Sequence, residues 1–321
     1  MAEKINHALV LSDNLRKLLE ASSSKASKNA LLSDLRVFSK WAEFEQPIPC
    51  TELLVAEFIA AMSEQRTLST ITRYVSSISK AHELGKYPNP TKTELVRQAM
   101  AGLRRTQSER LKKAPALSAD QLLHILENTS KMEWIGRRNR AILTIGWCGA
   151  LRCSEICALD MSDIEEISQG IVVTIRRSKT DQEGKGYCIG IPSSILGEII
   201  IQWKSSVENL YGKKEGPLFP QIGCGAVDRW FPNEGLRKRL TVRGVSKIIK
   251  GMLIKFGLNG SSHSLRRGFI TEASRCGVPE RVIQRHTRHR SLHVLREYIA
   301  DGNIMEDNPL PAMFARLLCS G

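Results

Sequence analysis

The chain has no apolar run approaching the ~20 residues that a membrane-spanning helix needs, so no membrane partner is expected. Its opening, MAEKINHALVLSDNLRKLL, carries acids and amides where a secretory signal would have an apolar core, which points to a cytoplasmic protein. Eight cysteines are present, but none forms a CxxC pair or a regular framework, which argues against a disulfide scaffold. Cys148, Cys153 and Cys157 lie close together without the matching second half that a zinc site would require, and they read as reduced, buried thiols. No internal repeat is evident, and Ser22-Ser23-Ser24 is the extent of low complexity. Acid is also short. Against 47 lysines and arginines stand 33 aspartates and glutamates, giving a formal net charge of +14 and a pI near 9.6. Such a balance favours a polyanionic partner, because each phosphate contact releases condensed counterions.

A length of 321 residues is enough for two modest cores. From Ser12 to Gly102 the pattern is helical. Leu31, Leu32, Leu35, Phe38 and Trp41 recur at a helical period, as do Leu53, Leu54, Phe58, Ile59 and Met62. A third helix places Ile71, Tyr74, Val75 and Ile78 on one face and stops at Gly85, before Pro88 and Pro90. A fourth runs from Glu94 to Leu103. We read residues 1–104 as an all-helical domain and 105–115 as a basic linker. The cations Arg104, Arg105, Arg110, Lys112 and Lys113 at this junction are candidates to lie along a DNA backbone. Residues 116–321 form the second domain. Ser118 is placed to cap its first helix, and Arg137 to Trp147 reads as a buried helix. Gly170–Ile175 and Tyr187–Pro192 flank the turn-like DQEGKG as a hairpin. Beyond the hairpin the pattern is helical again. A last apolar stripe (Leu310, Met313, Phe314, Leu317, Leu318) suits either its own domain or a neighbouring subunit.

The chemistry is densest between His263 and Tyr298. His263 and Arg266 stand one helical turn apart, Arg288 and Arg290 flank His289, and Tyr298 supplies a phenol. Arginines can hold the non-bridging oxygens of a phosphodiester, and a phenol can attack phosphorus to form a covalent intermediate. Upstream, Arg152 and Glu155 are spaced to meet on one helix face, and Lys179 sits where the first hairpin strand reaches its turn.

Taken in order, Arg152, Lys179, His263, Arg266, His289 and Tyr298 resemble the signature of the tyrosine recombinase (phage integrase) family. The nine-residue step from His289 to Tyr298 also matches. Thr67 to Thr91 is similar to the family's N-terminal core-binding domain, and Leu117 to about Asp301 resembles its catalytic domain. The resemblance implies a mainly α fold with a small antiparallel β-sheet, an α+β catalytic domain and a two-domain clamp around DNA. In it Tyr298 is the nucleophile, giving a 3′-phosphotyrosyl link. Arg152 and Arg266 grip the non-bridging oxygens, and Lys179 protonates the departing 5′-oxygen. His263 assists proton transfer and His289 donates a hydrogen bond to the phosphate. Glu155 orients His263 or Arg152, and Arg267 is a further DNA contact. No metal and no cofactor are called for. The implied partners are duplex DNA with inverted-repeat half-sites and three further copies of the chain in a synapse. Strands would be exchanged through a Holliday junction, and the scheme leaves room for an accessory DNA-bending protein. Integration, excision or resolution of a mobile element, plasmid or phage are the outcomes it would serve. The absence of an obvious arm-binding domain ahead of Ser12 favours a two-domain recombinase.

Duller readings exist for each residue. An arginine and a glutamate at helical spacing usually form a surface ion pair worth under ~1 kcal/mol. Lys185 competes with Lys179, which is preferred because the family lysine precedes the turn. His286 and His293 read as solvent-facing or as phosphate contacts, while Tyr74, Tyr87, Tyr187 and Tyr211 read as ordinary tyrosines. Arg288 departs from the glycine more usual before the second histidine, and so bears on the local turn. Two rival functions compete with this one. A type IB topoisomerase fits poorly with so compact a helical first domain. A DNA-binding protein that has lost catalysis fits poorly with the complete set of six residues.

Overall fold

Local pattern becomes structure in two compact units, Met1–Leu111 and Lys112–Gly321, each described here by itself. The computed structural model describes residues 25–45, 47–107, 114–176, 186–212, 215–221, 238–289 and 291–302. Lys179, Lys185, Arg110, Lys112, Lys113, Arg290 and the stripe from Leu310 to Leu318 lie outside the described residues.

The first unit is built from α1 (Lys25–Ala42), α2 (Glu52–Ser63), α3 (Leu68–Gly85) and α4 (Glu94–Thr106). Their apolar faces close on Phe38, Val55, Phe58, Ile59, Ile71, Tyr74, Ile78, Val96 and Leu103. Phe38 and Phe58 meet edge to face with centroids 5.0 Å apart, a favoured aromatic geometry. Buried Asp34 is satisfied by Arg73 and by the Ser77 hydroxyl at 2.7 Å. Three residues depart from the expected pattern. Leu32 and Leu53 are exposed, and Val55 takes the inward place, because these helices have core on one flank only. The fourth helix does not stop at Leu103 but runs to Thr106, which puts Arg104 and Arg105 in its last turn and exposed, so that Arg105 belongs to the helix and not to a linker. Cations there suit the negative end of the helix dipole.

The second unit opens with α5 (Ala119–Glu127), where Ser118 and Gln121 form a reciprocal capping box. Next comes α6 (Trp134–Cys148), whose Ala141, Ile142, Leu143 and Ile145 are fully buried, then the short α7 (Cys153–Ala158). The expected hairpin is larger than the pattern suggested. β1 (Ile164–Ile167), β2 (Gly170–Ile175) and β3 (Tyr187–Pro192) form an antiparallel sheet in that order. β1 reads IEEI and buries only Ile164, so it lacks the alternation that marks a strand. Its pairing with β2 runs from Ile164 opposite Val173 to Ile167 opposite Gly170.

The remaining helices are α8 (Ile195–Tyr211), α9 (Val242–Lys255), α10 (Ser262–Arg275), α11 (Glu280–Thr287) and α12 (Leu292–Gly302). A small satellite core of Ile270, Ile283 and Leu295 knits α10, α11 and α12 together, with Tyr298 packed against it. α10 is drawn tightly against the segment entering the unit. Leu117 N–H donates to Ser264 O at 3.0 Å, and Trp147 Nε1 donates to Leu117 O at 2.9 Å. A Cβ at Gly268 would lie 1.9 Å from Leu117 O, so glycine is required there. Cys148, Cys153 and Cys157 are free and buried, and burial pushes the Cys148 thiol up to about 12. No helix among the described residues is long and apolar enough to cross a membrane.

Candidate active site

Four helices, α7, α10, α11 and α12, bring the site together around the turn from Gly149 to Arg152. Ala150 holds a left-handed conformation (φ 46), uncommon for a residue with a Cβ. The chain then enters α7 with Arg152 at the N-cap and Glu155 in the first turn. The Glu155 carboxylate accepts from the Arg152 backbone N–H at 2.9 Å and from Arg152 Nη1 at 2.8 Å. This is not the surface pair that helical spacing usually makes: the Glu155 side chain is 1% exposed and that of Arg152 21%.

From α10 comes Arg266, buried, with Nη1 donating to Ala150 O at 2.7 Å and Nη2 to Thr287 O. His263 lies one turn back on the same helix and is exposed. Arg267 gives one donor to Ala114 O at 2.9 Å, so part of its capacity ties down the entering segment.

α11 ends in a tight turn with Arg288 in the left-handed region at φ 58 and ψ 41. A residue with a Cβ in that conformation costs about 1 kcal/mol. His289 N–H donates to Gln284 O at 3.2 Å and Gln284 Nε2 to His289 O at 3.0 Å, which fixes the histidine backbone. The Thr287 hydroxyl donates to Ile283 O at 2.7 Å, leaving its oxygen to accept from His289 Nδ1 at 2.7 Å. That network assigns the proton to Nδ1. Nε2, 3.3 Å from Arg266 Nη2, is then the bare nitrogen. Tyr298, on α12, sets its ring 5.7 Å from the His289 ring.

The field is strongly positive. Burial, with the cations of Arg152 and Arg288, lowers Arg266 to about 9. Burial and the same arginines, Arg266 foremost, press His289 down to about 3. Both shifts mark a centre suited to an anion, with cations held close together and, among the described carboxylates, only Glu155 to offset them.

Arg152, Glu155, Arg266, His289 and Tyr298, expected from sequence, are thus gathered in the second unit. Lys179 lies in the segment between β2 and β3, outside the described residues, but both stems of that segment are anchored. Arg176 Nε donates to Asp163 at 2.7 Å and its Nη1 to Asp160 at 2.9 Å, and Ile175 pairs with Tyr187. Other expectations need correction. His286 is not a solvent-facing group. Its Nε2 donates to Cys148 O over 2.7 Å, and its ring stacks on Phe269 with centroids 4.4 Å apart. Glu155 serves Arg152, as one alternative held, and also Arg288, which the pattern did not suggest.

The residue missed is Arg288. Its side chain, 6% exposed, reaches Glu155 Oε2 at 3.0 Å and the carbonyls of His286 at 3.1 Å and Ala150 at 3.4 Å. The signal was an arginine in a place where glycine is usual.

A sequence profile described as the phage integrase family matches residues 115–303. The chain belongs to the phage integrase family. It is 29% identical over 320 residues to the "Integrase/recombinase xerD homolog" of Selenomonas ruminantium, covering 95% of this chain and 90% of that protein. It is 27% identical over 301 residues to the "Tyrosine recombinase XerC" of Syntrophus aciditrophicus, covering 88% and 89%. Among solved structures, its fold is similar to that of XerH site-specific recombinase bound to a palindromic difH substrate, with TM-score 0.63 and 18% identity over 93% of this chain and 85% of the other. It also resembles the Tn1549 transposon integrase in complex with transposon right-end DNA, with TM-score 0.61 and 13% identity over 91% and 95%. Tyrosine recombinases of this family are DNA strand breaking and rejoining enzymes, and site-specific DNA recombination is the class of activity to which this chain is assigned.

Proposed function

We propose that the protein cuts and rejoins duplex DNA at a specific site, with Tyr298 as nucleophile. The observation that carries this reading is the convergence of Arg152, Arg266, His289 and Tyr298 on one positively charged centre from elements far apart in sequence.

The Tyr298 oxygen attacks phosphorus, a phosphotyrosyl bond forms, and the bond from phosphorus to the 5′-oxygen breaks. Lys179 gives its proton to that oxygen, leaving a free 5′-hydroxyl. Arg152 and Arg266 stabilise the charge on the five-coordinate phosphorus, and a planar guanidinium can serve two oxygens at once. His263, exposed one turn from Arg266, is the candidate to take the phenol proton. For His289 to donate to the phosphate its Nε2 must gain a proton, and the incoming phosphate charge offsets the arginines that now oppose this. A 5′-hydroxyl attacking the phosphotyrosyl bond restores a phosphodiester of equal energy, so no nucleotide triphosphate is consumed. No step calls on a metal or cofactor.

Four copies acting on two sites would exchange strands in two such rounds through a Holliday junction. The helical first unit, with Arg104 and Arg105 exposed, and the second unit would clamp each inverted half-site from two faces. The test is a footprint on DNA flanking the gene, followed by denaturing electrophoresis. Wild type should protect inverted half-sites and yield a covalent protein–DNA band, while Tyr298→Phe keeps the footprint and loses the band. Relaxation of supercoiled plasmid bearing no such site would favour a topoisomerase instead.

A further inference from the structure

Arg288 occupies a backbone position that a glycine would fill without strain, yet its side chain is folded inward and its guanidinium is held on several sides. It meets Glu155, the carbonyls of Gly149, Ala150 and His286, and the Tyr187 ring, whose centroid is 5.9 Å from Arg288 Cζ. Glu155 is thereby divided. One oxygen takes Arg152 Nη1, and the other takes the Arg152 backbone N–H together with Arg288 Nη2.

We propose that Arg288 is a positioning residue for strand cleavage, acting through Glu155 on Arg152. The inference rests on the reading of Arg152 as a phosphate-gripping residue. Two physical effects follow from the geometry. Arg152 already reaches both carboxylate oxygens, and Arg288 Nη2 adds a third donor from a separate turn, which braces the carboxylate against pivoting with Arg152 and holds the guanidinium in one orientation before DNA arrives. Because Arg288 draws on the same negative charge, Glu155 does not fully neutralise Arg152, whose remaining field is available to the phosphate. A lone Glu155–Arg152 pair would be better satisfied in itself and a poorer anion site. Arg288 adds positive potential to the same centre, and burial and Arg152 act on Arg266 in the same sense.

The experiment uses the full-length protein and a pool of randomised duplex oligonucleotides carrying 5′-bridging phosphorothiolate links. The thiolate released on cleavage leaves without a donated proton, so the rate reports on phosphate activation and not on Lys179. Sequences captured by wild type are resynthesised. Adduct formation is then timed at saturating DNA, with equilibrium binding and thermal melting measured in parallel. Arg288→Gly suits the left-handed backbone and is expected to melt close to wild type and bind within about 2-fold. Its adduct rate should fall by about 10- to 100-fold, in the range for a weakened transition-state contact. Arg288→Lys, which restores a charge without the planar fork, should recover part of the rate. Combining Arg288→Gly with Glu155→Gln should slow cleavage by less than the product of the single effects, since both act through one carboxylate. An unchanged rate in Arg288→Gly overturns the proposal. A loss that tracks binding or melting, with the rate at saturation intact, also overturns it and makes the residue structural. If wild type forms no adduct in the pool, the reading of the site fails, and the proposal falls with it.

Discussion

Arg266 carries the tension of the site in one side chain. Buried beside two other guanidiniums, it gives its donors to Ala150 O and Thr287 O and is aimed by them, at the cost of a lowered affinity for its own proton. His289 feels the same field, and the sign of its effect on stability can be worked out. Its folded value, about 3, lies below the ordinary value of about 6.5. Between those values the unfolded chain binds a proton that the folded chain refuses, so stability falls as pH falls from about 6.5 toward 3. Half-buried His286, also lowered by desolvation, adds in the same direction. Urea unfolding at pH 7 and pH 4 should therefore show a smaller acid loss in His289→Gln than in wild type. Equal losses in the two proteins would contradict a neutral His289. The candidate residues were legible in the chain because their order resembles the family signature, and the fold brings Arg152, Arg266, His289 and Tyr298 near one another. The part played by Arg288 was not legible, since nothing in sequence spacing places it on Glu155, 133 positions away. The burial that turns Arg152 and Glu155 from an ordinary helical pair into a clamp is equally a product of tertiary packing.

At the scale of elements, the site depends on how closely α10 approaches Leu117. This contact sets the depth of Arg266, and Gly268 is what permits it. Gly268→Ala should destabilise the protein by about 3 kcal/mol, the upper part of the usual range for overpacking, because the intruded atom is backbone and cannot rotate away. Chemical denaturation would measure this, and a loss under about 0.5 kcal/mol would show that the approach is not tight. Helices with one clear apolar stripe were legible from their period, and α5 even from its cap residues. The exceptions share a cause. β1 is charged because it is an edge strand with one inward residue, and α4 extends past its last core residue because helix ends need not coincide with hydrophobic ones.

For the whole molecule, a net charge of +14 gives attraction to DNA but no chemistry. Chemistry arises only where the fold gathers a few of those charges into the second unit and sets the Tyr298 phenol beside His289 among them. Composition indicated the partner, the motif order indicated the reaction, and only the folded chain shows the shared carboxylate at its centre. The decisive question is which tyrosine becomes joined to DNA. The chain has five: Tyr74, Tyr87, Tyr187, Tyr211 and Tyr298. A covalent complex trapped on phosphorothiolate DNA, digested with nuclease and protease and read by mass spectrometry, answers this directly. The phosphonucleotide is expected on the peptide containing Tyr298 and on no other. Its appearance on any of the other four tyrosines would contradict the assignment of the active site made here.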